Sequence, residues 1–388
     1  MSKIQLQLQL DLPTHQKRLA GLDPTLWRGC FNARESSVHQ LSPYVGKMKS
    51  GMAQVLLLSY SEEGDTVLDP FCGSGIVPYE ALMLKRHAVA NDLSPYAYVL
   101  TMGKITAPHT EREALERASR YMHQVEQDKD KIDIEVIPEW VRQFFHPETL
   151  KETIALFRLL RERDEYFFQA CILGILHHVR PGFLSYPASH LVPYLRLKTY
   201  PPEKYPKMYD YRDVKSRFLA KIHRAYRRYT PIDPSLHWQV LQENAMRLSI
   251  PDKSVDAIIS SPPYFGALDY GRDNRLRLWF LGVENYKELD SLLTSNDRVY
   301  GSQMTDAVKE MYRVLKPDKA IVLVLGDYRR NGNHSDSAET IADIARWHFK
   351  DRLIVEDIVD DPIPDERRSR RKTCTTSKER VLVLRKVK

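Results

Sequence analysis

Two short stretches bring together side chains from which chemistry could be built. The first is Ser261-Pro262-Pro263-Tyr264, which follows the apolar run Ala257-Ile258-Ile259. Two consecutive prolines remove two backbone donors and fix φ at both positions, so a strand must stop there. The carbonyls of Ser261 and Pro262 are then free of local donors. With the Ser261 hydroxyl they can accept hydrogen bonds from an exocyclic amine. Tyr264 offers a flat face on which a planar base can stack, worth about 1–3 kcal/mol per base. A base amine is conjugated and attacks poorly, and hydrogen bonds that draw its protons out of the ring plane free its lone pair. A methyl group held in line can then transfer directly, by positioning and electrostatics. Carbon-5 methylation of cytosine would need a thiolate nucleophile here. Pro-Cys occurs nowhere in the chain, and Cys72 sits in the second stretch.

That second stretch is Asp69-Pro70-Phe71-Cys72-Gly73-Ser74-Gly75. Gly73 and Gly75 let the backbone turn tightly and approach a ligand closely. Asp92 lies 17 positions after Gly75, where an acid can accept hydrogen bonds from ribose hydroxyls. A full GxGxxG is missing, which argues against NAD. Asp69 would repel a pyrophosphate and attract a cationic amino group. These preferences fit S-adenosylmethionine, which joins an adenosine ribose to an ammonium and a sulfonium without any phosphate.

Elements must place these stretches side by side. Residues 64–75 read as a turn, a short apolar strand and a glycine loop, 76–86 as a helix and 87–94 as a second strand: a βαβ start to a parallel sheet. Residues 51–60 also read as helix. From about 108 to 235, apolar residues recur at three- and four-residue steps, as in amphipathic helices. Strand–helix alternation resumes at 237–245, 255–261, 306–315, 319–328 and 379–386. The expected domains are therefore 1–107 with 236–388, as two halves of one sheet, and 108–235 as a helical insertion. The opening run 4–12 alternates with period two and reads as an edge strand.

The chain has 388 residues, 43% hydrophobic and 28% charged, with a net charge of +7, ordinary for a soluble globular protein and compatible with a polyanionic partner. Four cysteines, Cys30, Cys72, Cys171 and Cys374, are far apart, which indicates neither a zinc site nor a disulfide framework. No run is long enough to span a bilayer, so a cytoplasmic location without a membrane is expected. Residues 196–229 hold 11 Lys or Arg, 3 acids and 7 aromatics, a composition suited to tracking phosphates and stacking bases. A second basic run occupies 367–372, and 185–194 is a candidate base-reading loop. His177 and His178 read as packing or capping residues.

The motifs DPFCGSG and SPPY, in that order, resemble those of the amino-directed DNA methyltransferases. The resemblance covers roughly 40–100 and 237–388. It implies an α/β Rossmann-like sheet dependent on S-adenosylmethionine, with a largely helical inserted target-recognition region, as in the family's α arrangement. Residues 42–57 resemble the helix before the cofactor loop, which implies that Tyr44 and Lys47 help hold the methionine end. Asn244 stands where the family usually has an Asp contacting adenine. Ser261 in place of Asp implies the N4 amine of cytosine as target, with the N6 amine of adenine as the alternative. The resemblance implies double-stranded DNA as substrate, a flipped base, and a host-protective modification role with a cognate restriction endonuclease as partner. An RNA base methyltransferase and a non-catalytic nucleic-acid-binding module are the competing readings.

Overall fold

Apolar runs from both sides of the helical stretch pair into one sheet. The computed structural model describes residues 22–28, 35–177, 183–186, 200–263, 270–288, 297–330, 333–362 and 378–388. The expected strand at 4–12, Tyr264, His178, the basic run 367–372 and most of the 185–194 loop lie outside these residues. The strands are β1 (Thr66–Asp69), β2 (His87–Asn91), β3 (Trp238–Leu241), β4 (Val255–Ser260), β5 (Leu315–Arg330), β6 (Asn333–Asp336), β7 (Leu353–Pro362) and β8 (Lys378–Lys386). Their order is β3-β2-β1-β4-β5-β8-β7, with β6 paired to β5. The pairs from β3 to β5 are parallel; β8 runs antiparallel to β5 and β7. The result is a Rossmann-like α/β sheet. Its strand order reverses between β1 and β4, the switch point at which such sheets open a crevice.

The sheet is covered on both faces, which explains its continuous apolar strands. One face, with Leu68, Ile258, Ile321, Leu323 and Leu382, packs on α8 (Asp297–Val314) and α9 (Ser337–Phe349), whereas Val67, Ile259, Val322, Val324 and Val383 on the other meet α1 (Ser50–Tyr60) and α2 (Ile76–Met83). Neighbouring residues on each strand thus serve opposite cores, as the two-residue period of a strand demands.

After β2 comes α3 (Pro95–Ile105), and then the helical stretch: α4 (Glu111–Asp128), α5 (Pro147–Glu162), α6 (Tyr166–Leu176) and α7 (Val214–Tyr226). Thr110 caps α4 by accepting from the Glu113 amide, and Asp213 caps α7 through the Ser216 amide, the side-chain acceptors that orphan helix amides need. These helices share a core with α2 and α3 through Tyr79, Tyr96, Val99 and Leu100. His177 follows α6, its Nδ1 2.7 Å from Ser185 Oγ and its ring edge-on to Phe144.

Boundaries differ from the sequence reading in identifiable ways. The strand read at 237–245 is only Trp238–Leu241, because Glu243 and Asn244 turn to serve the site. The helix read at 306–315 begins at Asp297. Both β7 and α9 are additional to the sequence reading.

Candidate active site

β1 and β4 are sheet neighbours, with Leu68 opposite Ile258, so their carboxyl ends emerge together. Asp69 is the last residue of β1 rather than a member of the loop. Its Oδ1 accepts from Ser260 Oγ at 2.6 Å and from the Phe71 amide at 3.2 Å. The side chain is 3% exposed, and burial, reinforced by the charge of Asp92, lifts its carboxyl to about 7.

The glycine loop is held from beneath. Gly73 and Gly75 have φ of +49° and +72°, the left-handed region that disfavours any residue with a Cβ. A Cβ on Gly75 would lie 2.6 Å from Thr101 Oγ1, and one on Gly73 would lie 3.0 Å from the Tyr44 ring. Asp92 follows β2 directly and accepts from the Gly73 amide through Oδ2 and the Ser94 amide through Oδ1, both at 2.9 Å. Burial raises it to about 6. Cys72 is buried beside Thr101. Desolvation, together with Asp92 and Asp69, holds its thiol well above its ordinary value, the opposite of an activated nucleophile.

Asn91 joins three pieces of chain. Its Nδ2 donates to the carbonyls of Pro70 and Glu243, and its Oδ1 accepts from the Glu243 amide. The glycine loop and the turn after β3 are thereby fixed to one another. Asn244, next in that turn, accepts from the Met246 amide through Oδ1. Ser261 Oγ donates to the Val324 carbonyl of β5 at 3.1 Å, so it keeps lone pairs for an incoming donor while its own proton is committed.

One open cleft gathers these groups. Tyr44, Lys47, Asp69, Pro70, Phe71, Gly73, Asp92, Asn244, Ser261 and Pro263 all line it. Gly75 sits behind the wall, against Thr101. Pro262 is not among the lining residues, and Tyr264 is outside the described residues. Lys47 also donates to the His39 carbonyl at 3.0 Å. Asn91 and a wall formed by Tyr300, Met304 and Ala307 of α8 complete the cleft. Neither has a motif; they were not among the sequence candidates, since only the tertiary pairing brings them here. Among the described residues no cluster of His, Cys, Asp or Glu could hold a metal ion, and no helix is long and apolar enough to cross a membrane.

The basic segment is less exposed than its composition implies. Phe218 is fully buried, and Tyr226 and Tyr229 pack on the helical core while donating to the carbonyls of Pro108 and Ala107. Tyr205 and Tyr211 remain exposed. Lys215, Arg224 and Arg227 face solvent.

Residues 25–102 match the family described as DNA methylase. Among curated proteins, the chain is 24% identical over 281 residues to the Type II methyltransferase M.BsoBI of Geobacillus stearothermophilus; the match covers 66% of this chain and 54% of that one. The chain therefore spans about half the length of the curated relative it matches. Among solved structures, it resembles TrmN from Thermus thermophilus (12% identity, TM-score 0.36, 91% of this chain and 53% of that one) and a SAM-dependent methyltransferase from Methanosarcina mazei (13%, 0.34, 86% and 97%). The Tyr44–Lys47 segment, the glycine loop and Asp92 all lie inside the residues that match the DNA methylase family.

Proposed function

We propose that the chain transfers a methyl group from S-adenosylmethionine to the N4 amine of cytosine in duplex DNA, as the modification part of a restriction–modification system. The observation that carries this reading is the single cleft at the ends of β1 and β4. It is lined by both Gly73 of the loop and Ser261 and Pro263 of the diproline turn.

The residues fit the cofactor. The left-handed glycines give a close backbone approach. Two buried carboxylates, Asp69 and Asp92, lie where a cationic ligand would draw them back to the ionised form. Phe71, Met246 and Met304 supply an apolar slot for adenine. The Asn244 amide donates where an Asp would accept, so it suits a ring nitrogen of adenine. Asp92 would take the ribose hydroxyls, and Tyr44 with Lys47 the methionine end. When bound, the cofactor supplies an electrophilic methyl on its sulfonium, which an amine nitrogen takes up in one displacement.

The chain's own part is positional. Ser261, which lines the cleft, would hold the amine protons away from the ring plane, and Tyr264 would stack the base. Reaching the cleft requires the base to leave the duplex. The helical stretch 108–235 would read the target. Ser261 favours cytosine over adenine, a preference drawn from the family resemblance.

Digesting DNA methylated by the protein to nucleosides and analysing them by mass spectrometry tests this. N4-methylcytosine is the expected product. N6-methyladenine would move the assignment to adenine, and methyl transfer to tRNA but not to duplex DNA would replace it with an RNA activity.

A further inference from the structure

One wall of the cleft lies outside the sheet. It is the segment that carries Tyr44, Gly46, Lys47 and Met48, and the helical stretch holds it in place. Lys221 of α7 is 8% exposed, and its Nζ donates to the Gln40 carbonyl at 2.6 Å. One turn later the Ala225 carbonyl accepts from Ser37 Oγ at 2.6 Å, and that same oxygen accepts from the Arg228 amide at 2.9 Å. Gly174 of α6 permits this approach: a Cβ there would fall on the Leu41 carbonyl oxygen, with Lys221 Cε 3.2 Å away.

From Gln40 the path to the cleft is short. Tyr96 OH lies 2.6 Å from Ser42 Oγ and donates to the Pro43 carbonyl at 2.6 Å. The next residue, Tyr44, stacks on Tyr96 at 5.9 Å between centroids and covers Gly73. An apolar side chain would fill the place of Lys221 without the cost of burying an ammonium. What the lysine adds is its bond to Gln40.

We propose that Lys221 is a positioning residue for the cleft: from the helical stretch its ammonium fixes the Gln40 carbonyl and thereby seats Tyr44 over the glycine loop. The consequence for cofactor affinity rests on the functional reading above; the seating does not.

Hydrogen exchange of the ligand-free protein reads the seating directly. In Lys221→Met, the backbone amides of residues 38–48 are expected to exchange about tenfold faster than in the wild type, with β1 and β4 unchanged. Equal exchange in that segment overturns the proposal. Calorimetry with S-adenosylmethionine reads the consequence: affinity about tenfold weaker in Lys221→Met, and intermediate in Lys221→Arg. KM for the cofactor rises while kcat at saturating cofactor stays within twofold. Unchanged affinity, or a kcat that falls in step with it, also overturns the proposal. Should Lys221→Met fail to fold, Ser37→Ala removes the neighbouring link and is expected to loosen the same amides. A wild-type protein that does not bind S-adenosylmethionine would sink the functional reading, while exchange would still decide the role of Lys221.

Discussion

Asp69 and Asp92 are the two acids of the cleft whose ionisation the fold opposes. Both have an ordinary value of 3.8, and burial lifts them to about 7 and about 6. A carboxyl raised by folding contributes stability below its unfolded value and loses it as pH climbs through the folded one. In the ligand-free protein this pair therefore costs stability progressively between about pH 4 and pH 7. A cationic ligand selects the ionised forms, so its affinity runs the other way. S-adenosylmethionine is expected to bind several-fold more tightly at pH 7.5 than at pH 5.5, until its own amino group deprotonates near pH 8. Titration calorimetry across that range should find Asp69→Asn weaker and flatter. A flat wild-type profile would remove Asp69 from any cationic contact. These acids are legible in the sequence because they stand at fixed distances from the glycines. Asn91 is not, since its role depends on Glu243, 152 residues away.

At the scale of elements, the turns on either side of β1 each carry a left-handed glycine, in different surroundings. Gly75 is left-handed and pressed against Thr101, with a Cβ only 2.9 Å from the Thr101 Cα. Gly64, with φ +84°, has nothing within 4 Å of a Cβ. Gly64→Ala should therefore cost only the left-handed penalty, about 1–2 kcal/mol, with cofactor binding intact. Gly75→Ala should cost more, because backbone must move, and should weaken cofactor binding as well. Thermal melts paired with calorimetry separate the two, and equal losses would show that the contact with Thr101 can relax. β1, β2 and β4 are legible as short apolar runs ended by acids or serines because a sheet covered on both faces imposes that pattern. β7 escapes such a reading. It is an edge strand with Ile354 43% exposed, acids through its length and a register shift between Val355 and Asp357. The signal for α9 is present in Asp336, which caps the Ala338 and Glu339 amides, but a cap is informative only once a following helix is suspected.

Across the whole molecule, the helical stretch and the sheet are not separate bodies joined by a linker. Tyr79 and Tyr96 of the sheet's own helices lie in the same core as Phe168 and Phe218, which a pattern of periods along one chain cannot reveal. This shared core divides the work within the basic segment. Phe218, Tyr226 and Tyr229 stabilise the fold and Lys221 turns inward, so any contact with a polyanion would fall to the remaining cations. Arg224 and Arg227, exposed at the end of α7, are the strongest candidates because they flank Ala225 and Arg228, whose backbone is tied to Ser37, upstream of the segment that walls the cleft. If both touch phosphate, each neutralises one charge and releases about 0.9 counterion from duplex DNA. Arg224→Ala with Arg227→Ala should then weaken DNA binding regardless of sequence and flatten the slope of log K against log salt by about 2. Fluorescence anisotropy over a salt series measures that slope. Lys350→Ala, in the exposed turn between α9 and β7, serves as the control and should leave the slope unchanged. If the control matched the double variant, phosphate contact would be spread over the whole surface, and the end of α7 would lose its claim to the DNA.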